Sequence, residues 1–183
     1  LAVGALSGCS SNENSSTADN STAGNPISVV TREDGSGTRG AFVELFGIED
    51  ADGNDAITQS AEISNSTSVV MTTVAGNPDA IGYISLGSLD DTVKALEIDG
   101  VAATVENINN GTYKVYRPFN IATKEGLSET AQDFVNFIMS EQGQAIVAEE
   151  GYISVESNGS YTPSGKTGTV TVSGSSSVTP VMQ

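Results

Sequence analysis

The chain has 183 residues, room for one globular unit with tails rather than two full domains. Lys and Arg number 7 against 23 Asp and Glu, a formal charge of -16 whose field repels polyanions and argues against a nucleic-acid partner. With no His, no Trp and one Cys, there is no Ser-His-Asp triad, no histidine acid-base chemistry, no Cys/His zinc site and no internal disulfide.

Leu1 to Leu6 is apolar but far too short to cross a bilayer. Leu6-Ser7-Gly8-Cys9 resembles a bacterial lipoprotein cleavage box. That resemblance implies that residues 1–8 end a signal peptide, already under way where the sequence starts, and that the mature chain begins at a Cys9 carrying a diacylglycerol. Residues 9–25, mostly Ser, Asn, Thr and Ala, have no apolar face and are expected to be a disordered tether.

Ile27 to Thr31 is β-branched and predicts a strand, running through Asp34-Gly35-Ser36-Gly37-Thr38 into a helix with Phe42, Leu45 and Phe46 at helical spacing. Ser66 to Val74 predicts a second helix, stopped at Ala75-Gly76. Residues 80–84, 93–98, 113–115 and 119–122 read as strands. Ser128 and Ser140 are placed to cap two further helices, the second stopped by Gly151. Residues 157–168 are Ser/Gly-rich and read as a linker. Residues 169–183 then read as the first strand and glycine/serine loop of an incomplete second lobe, the sequence stopping as a helix should begin after Pro180. Strands alternating with helices over residues 26–156 predict an α/β lobe with a mixed sheet flanked by helices.

A strand turning through glycine into a helix leaves the first backbone N–H groups unpaired, with the positive end of the helix dipole behind them, and so offers an anion site. Gly35 and Gly37 let the backbone approach a ligand, Ser36 and Thr38 add hydroxyls, and Arg32, with Asp34 beside it, can make a two-pronged charged contact. Two of the chain's three arginines, Arg32 and Arg39, flank this loop. No Gly-Lys-Ser or Gly-Lys-Thr follows the glycines, so nucleotide hydrolysis has no support. The acidic run Glu49 to Asp55 lacks calcium-loop spacing and reads as a solvated loop. No general base, metal set or activated nucleophile is visible, so the chain is not expected to be an enzyme and no cofactor is expected.

The string Ser28 to Arg39 resembles the phosphate loop of the substrate-binding proteins of bacterial high-affinity phosphate ABC transporters, of the periplasmic-binding-protein type 2 class. Ala80 to Ile84, Arg117-Pro118-Phe119, Ala131 to Gln144, Gly151-Tyr152-Ile153 and Val172 to Pro180 are similar to that family in kind. The resemblance implies that Arg32 contacts phosphate with Asp34 orienting it, that Ser36, Gly37 and Thr38 donate to it, and that Ser176 and Ser177 donate from the opposite lobe. It implies an extracytoplasmic protein, tethered to the membrane through Cys9, that captures inorganic phosphate for an ABC permease. In the family the Gly-Ser-Ser-Ser loop precedes the Asp-Gly-Ser-Gly-Thr loop, whereas here the order is reversed. A surface-anchored adhesion or sensing module with a degenerate site is the alternative.

Overall fold

The computed structural model describes residues 24–183. The signal-peptide end, Cys9 and nearly all of the expected tether lie outside the described residues. The sheet has three strands in the order β2-β1-β3, with β1 Ser28–Arg32, β2 Glu62–Ser64 and β3 Ala80–Ile81, and both pairings are parallel. Val30, Thr31 and Arg32 face Glu62, Ile63 and Ser64 on one side, while Ser28 and Val29 face Ala80 and Ile81 on the other. Being central, β1 is buried over its last three residues, Val30, Thr31 and Arg32.

Two ten-residue helices connect these strands. Helix α1 (Gly37–Phe46) is capped by Ser36, whose hydroxyl accepts from the Arg39 amide, and it stops at Gly47 in the left-handed conformation. Helix α2 (Thr67–Gly76) is capped by Ser66, whose hydroxyl accepts from the Val69 amide. The core they share with the sheet consists of three buried valines, Val30, Val43 and Val70, each contributing about 1.5 kcal/mol or more by leaving water. On α1 the apolar spacing pointed to Phe42, Leu45 and Phe46, yet it is Val43 that is buried. Phe42 instead stacks on Tyr83, with ring centroids 4.1 Å apart and planes 5° apart.

After a short α3 (Val105–Asn109, capped by Thr104), helices α4 (Glu129–Ile138) and α5 (Glu141–Glu149) form a hairpin. Their caps are Ser128 and Ser140, as the sequence predicts. Ser140 turns the corner by donating to the Phe137 carbonyl (2.6 Å) and accepting from the Gly143 amide (3.2 Å). Residues 157–168, expected as a linker, run against this hairpin. The Asn158 amide bonds the Met139 carbonyl, the Tyr161 hydroxyl donates to Asp133 (2.7 Å), and the Tyr161 ring packs edge-on against Phe137.

The strand expectations are corrected in part. Residues 93–98, 113–115, 119–122 and 169–172 join no ladder, and antiparallel pairing is confined, among the described residues, to the isolated bridges Glu49–Asp55 and Ile98–Val101. β-Branched alternation supplies a propensity, and it becomes a strand only where a neighbouring edge takes up its hydrogen bonds. The last helix, α6 (Thr179–Met182), follows a 3-10 turn at Ser176–Val178. No helix among the described residues is long and apolar enough to cross a membrane.

Candidate functional site

Both β1 and β2 end at the same edge of the sheet and feed α1 and α2, so the N-termini of two helices open side by side at the carboxyl ends of parallel strands. That is where open α/β sheets place ligands. A cleft of about 480 Å³ lies there, lined by Arg32, Glu33, the Gly35-Ser36-Gly37 turn, Asn65 and, from the far end of the chain, Gly174-Ser175-Ser176. Gly35 makes the turn possible, since its φ of 81° strains any residue with a Cβ. The amides of Gly37 and Thr38 open α1 and have no acceptor within the helix.

Arg32 is the cation of this cleft, and its side chain is only 3% exposed. Its backbone is gripped on both sides: the Tyr83 hydroxyl accepts from its N–H (3.1 Å), and Arg39 Nη1 donates to its carbonyl (2.8 Å). Its guanidinium is engaged along one edge by the next residue, Nε to Glu33 Oε2 at 2.8 Å and Nη2 to Oε1 at 2.9 Å, while Nη1 lies 3.4 Å from Thr67 Oγ1. The Arg32 guanidinium holds the Glu33 carboxyl below its ordinary pKa. Asp34 does not orient Arg32. Its carboxylate is almost wholly exposed and pairs with Arg39 at 3.1 Å. The cause is backbone direction: the chain leaves the strand at Glu33, and the turn carries residue 34 outward.

Arg39 braces the loop from within α1. Besides the Arg32 carbonyl and Asp34 it binds Asp55, with Nε 2.5 Å from Oδ2. That contact holds the Asp55 carboxyl below its ordinary pKa and raises the pKa of Arg39.

The structure brings the second glycine/serine loop to the first. Ser177 is fully buried, its Oγ 2.6 Å from Thr38 Oγ1, and Ser176 Oγ lies 3.3 Å from Thr67 Oγ1. In the Thr38–Ser177 pair one hydroxyl donates to the other, which leaves one proton available to a third group. The segment is anchored from outside by Tyr152, whose hydroxyl donates to the Ser177 carbonyl at 2.6 Å. Tyr152 in turn packs against Phe119, and its ring lies so close over Gly87 that a Cβ there would fall 2.2 Å from it.

Of the residues singled out in the sequence, Arg32, Ser36, Gly37 and Ser176 line the cleft, Thr38 and Ser177 sit behind it bonded to each other, and Asp34 stands outside. Sequence reasoning passed over Glu33, Asn65, Thr67 and Ser175. Ser66 was recognised as the start of a helix, and a helix N-terminus brings the two residues flanking its cap with it; that signal was enough to place Asn65 and Thr67 at an anion site. No group of three metal-ligating side chains occurs among the described residues.

Relatives of known sequence and structure bear on this geometry. The chain is 48% identical over 188 residues to the phosphate-binding protein PstS 2 of Streptococcus agalactiae, a match taking in 100% of this chain and 62% of the relative. It is 46% identical to PstS 2 of Streptococcus pneumoniae, over 93% of this chain and 60% of that one. The agalactiae match runs along the whole of this chain, so both glycine loops fall within the matched stretch. Among solved structures, a phosphate-binding protein of a phosphate ABC transporter from Streptococcus pneumoniae superposes with a TM-score of 0.68 at 48% identity, covering 85% of this chain and 62% of that one. A substrate-binding protein from Clostridium perfringens with bound phosphate gives a TM-score of 0.65 at 48% identity, covering 72% of this chain and 53% of that one. The chain thus spans about three fifths of the length of the streptococcal relatives. The PBP superfamily domain matches residues 11–142, well over half of the sequence, and the chain belongs to the PBP superfamily.

Proposed function

We propose that the cleft between the two glycine loops binds inorganic phosphate, and that the chain is all or part of an extracytoplasmic solute-binding protein that hands phosphate to an ABC permease without altering it. One observation carries this reading: a buried arginine, two helix N-termini and a serine-rich loop 139 positions away in sequence converge on one cleft. Arg32 supplies the charge, Ser36, the Gly37 and Thr38 amides and Ser176 supply donors, and Ser177 holds Thr38 in place. In our reading Asp34 acts at one remove, steadying Arg39 and through it the Arg32 carbonyl. The names of the relatives support phosphate as the ligand and a transporter as the destination. The molecule's net negative charge does not oppose this, because a partly enclosed oxyanion responds to the fixed donors and guanidinium around it. Attachment to the membrane through a lipid on Cys9 belongs to the same reading.

Calorimetric titration with inorganic phosphate tests it. Arg32→Ala is expected to weaken binding by tenfold or more, since a charge-assisted pair contributes about 1.5 to 3 kcal/mol. Lys94→Ala, exposed and away from both loops, is expected to bind as the parent does. Unchanged binding in Arg32→Ala would reduce the glycine turn to a helix cap.

A further inference from the structure

Arg32 already holds an anion. The Glu33 carboxylate brackets Nε and Nη2 along a single edge of the guanidinium, at 2.8 and 2.9 Å. This is the two-pronged geometry by which arginine also takes a phosphate group. The partners are unequally fixed. Arg32 is 3% exposed and clamped by Tyr83 and Arg39 through its own backbone, whereas the Glu33 side chain is 37% exposed and, among the described residues, makes no side-chain hydrogen bond except to Arg32. Glu33 also lines the cleft alongside Gly35, Ser36 and Gly37.

We propose that Glu33 is a resident stand-in for the ligand: its carboxylate fills the Arg32 fork while the cleft is empty and swings toward water when an oxyanion enters. The inference rests on the phosphate reading and adds to it a residue that sets affinity. One edge of a guanidinium accommodates one bidentate anion, so the two compete. The ligand wins because its remaining oxygens reach the Gly37 and Thr38 amides and the hydroxyls beside them, which Glu33 does not contact. The exchange lowers the net gain from phosphate, and while the cleft is empty it keeps a buried guanidinium from standing unpaired, which is costly. The opposite arrangement, in which Glu33 stays and orients Arg32 while phosphate takes Nη1, makes the opposite prediction for both Glu33 variants below.

The test is phosphate titration of the chain as it stands, its Glu33→Gln and Glu33→Asp variants, and Arg32→Ala. Glu33→Gln is expected to bind up to about fivefold more tightly, the scale of a partly exposed ion pair. Glu33→Asp keeps the charge but is one methylene too short to bracket both nitrogens, and is also expected to bind more tightly than the parent. Equal or weaker binding by Glu33→Gln overturns the inference. So does a gain in Glu33→Asp that is absent while Glu33→Gln improves, since that pattern is a general charge effect. Loss of binding in Arg32→Ala without a gain in Glu33→Gln removes the inference and leaves the phosphate site standing. Retained binding in Arg32→Ala removes both.

Discussion

Arg32 is positioned through its main chain as firmly as through its side chain. Tyr83 carries part of that burden: its hydroxyl meets both the Arg32 N–H and Thr31 Oγ1, the latter at 2.7 Å and deeply buried. Tyr83→Phe keeps the ring stacked on Phe42 and removes the hydroxyl alone. Two buried polar groups then lose their partner, and the expected cost is about 1 to 3 kcal/mol, read as a lower urea midpoint together with weaker phosphate binding. A change in the midpoint with affinity untouched would show that the hydroxyl supports the sheet and leaves Arg32 in place. The place of Arg32 beside the glycine turn was legible in the sequence, because cations are scarce and it stands at the end of a strand. The partner of its guanidinium was not. The family resemblance implied Asp34, yet the strand ends at Arg32 and the guanidinium is taken by the next residue, Glu33.

Among the elements, the four serine-capped helices and the central strand β1 were readable while most of the other expected strands did not form, for one physical reason. Ser36, Ser66, Ser128 and Ser140 each accept from the amide three residues ahead, a contact that local sequence determines by itself. A strand exists only with its neighbour: β2, three residues long, gave no signal, and residues 169–172 alternate well but lie beside no edge. The same distinction applies to the loop at Ser175–Ser177, whose own hydrogen bonds are local while its seat depends on Tyr152. Tyr152→Phe is therefore expected to loosen this loop without unfolding α1 or α2. Hydrogen exchange should quicken over residues 175–182 and stay slow over residues 28–46. Unaltered exchange at 175–182 would mean that the Thr38–Ser177 pair suffices to hold the loop.

On the scale of the whole molecule, the proposed anchor at Cys9 precedes by some twenty positions the first residues of the cleft, Arg32 and Glu33, while its far wall comes from residues 174–176. If Cys9 is acylated, a radiolabelled fatty acid fed to cells making the protein should mark the parent and not Cys9→Ala, which should leave the detergent phase. Labelling that persists in Cys9→Ala would refute attachment at that residue. The distance in sequence between the two walls of the cleft also bears on the order of events during synthesis. Thr38 leaves the ribosome 139 residues before the serine it bonds, and a contact between such distant positions forms only after the intervening chain has been drawn in. Strand β1 and the glycine turn can take shape early, with Glu33 as the companion of Arg32. The cleft gains its far wall only when residues 174–177 dock, so ligand capture has to wait for that segment long after β1 and the glycine turn have emerged.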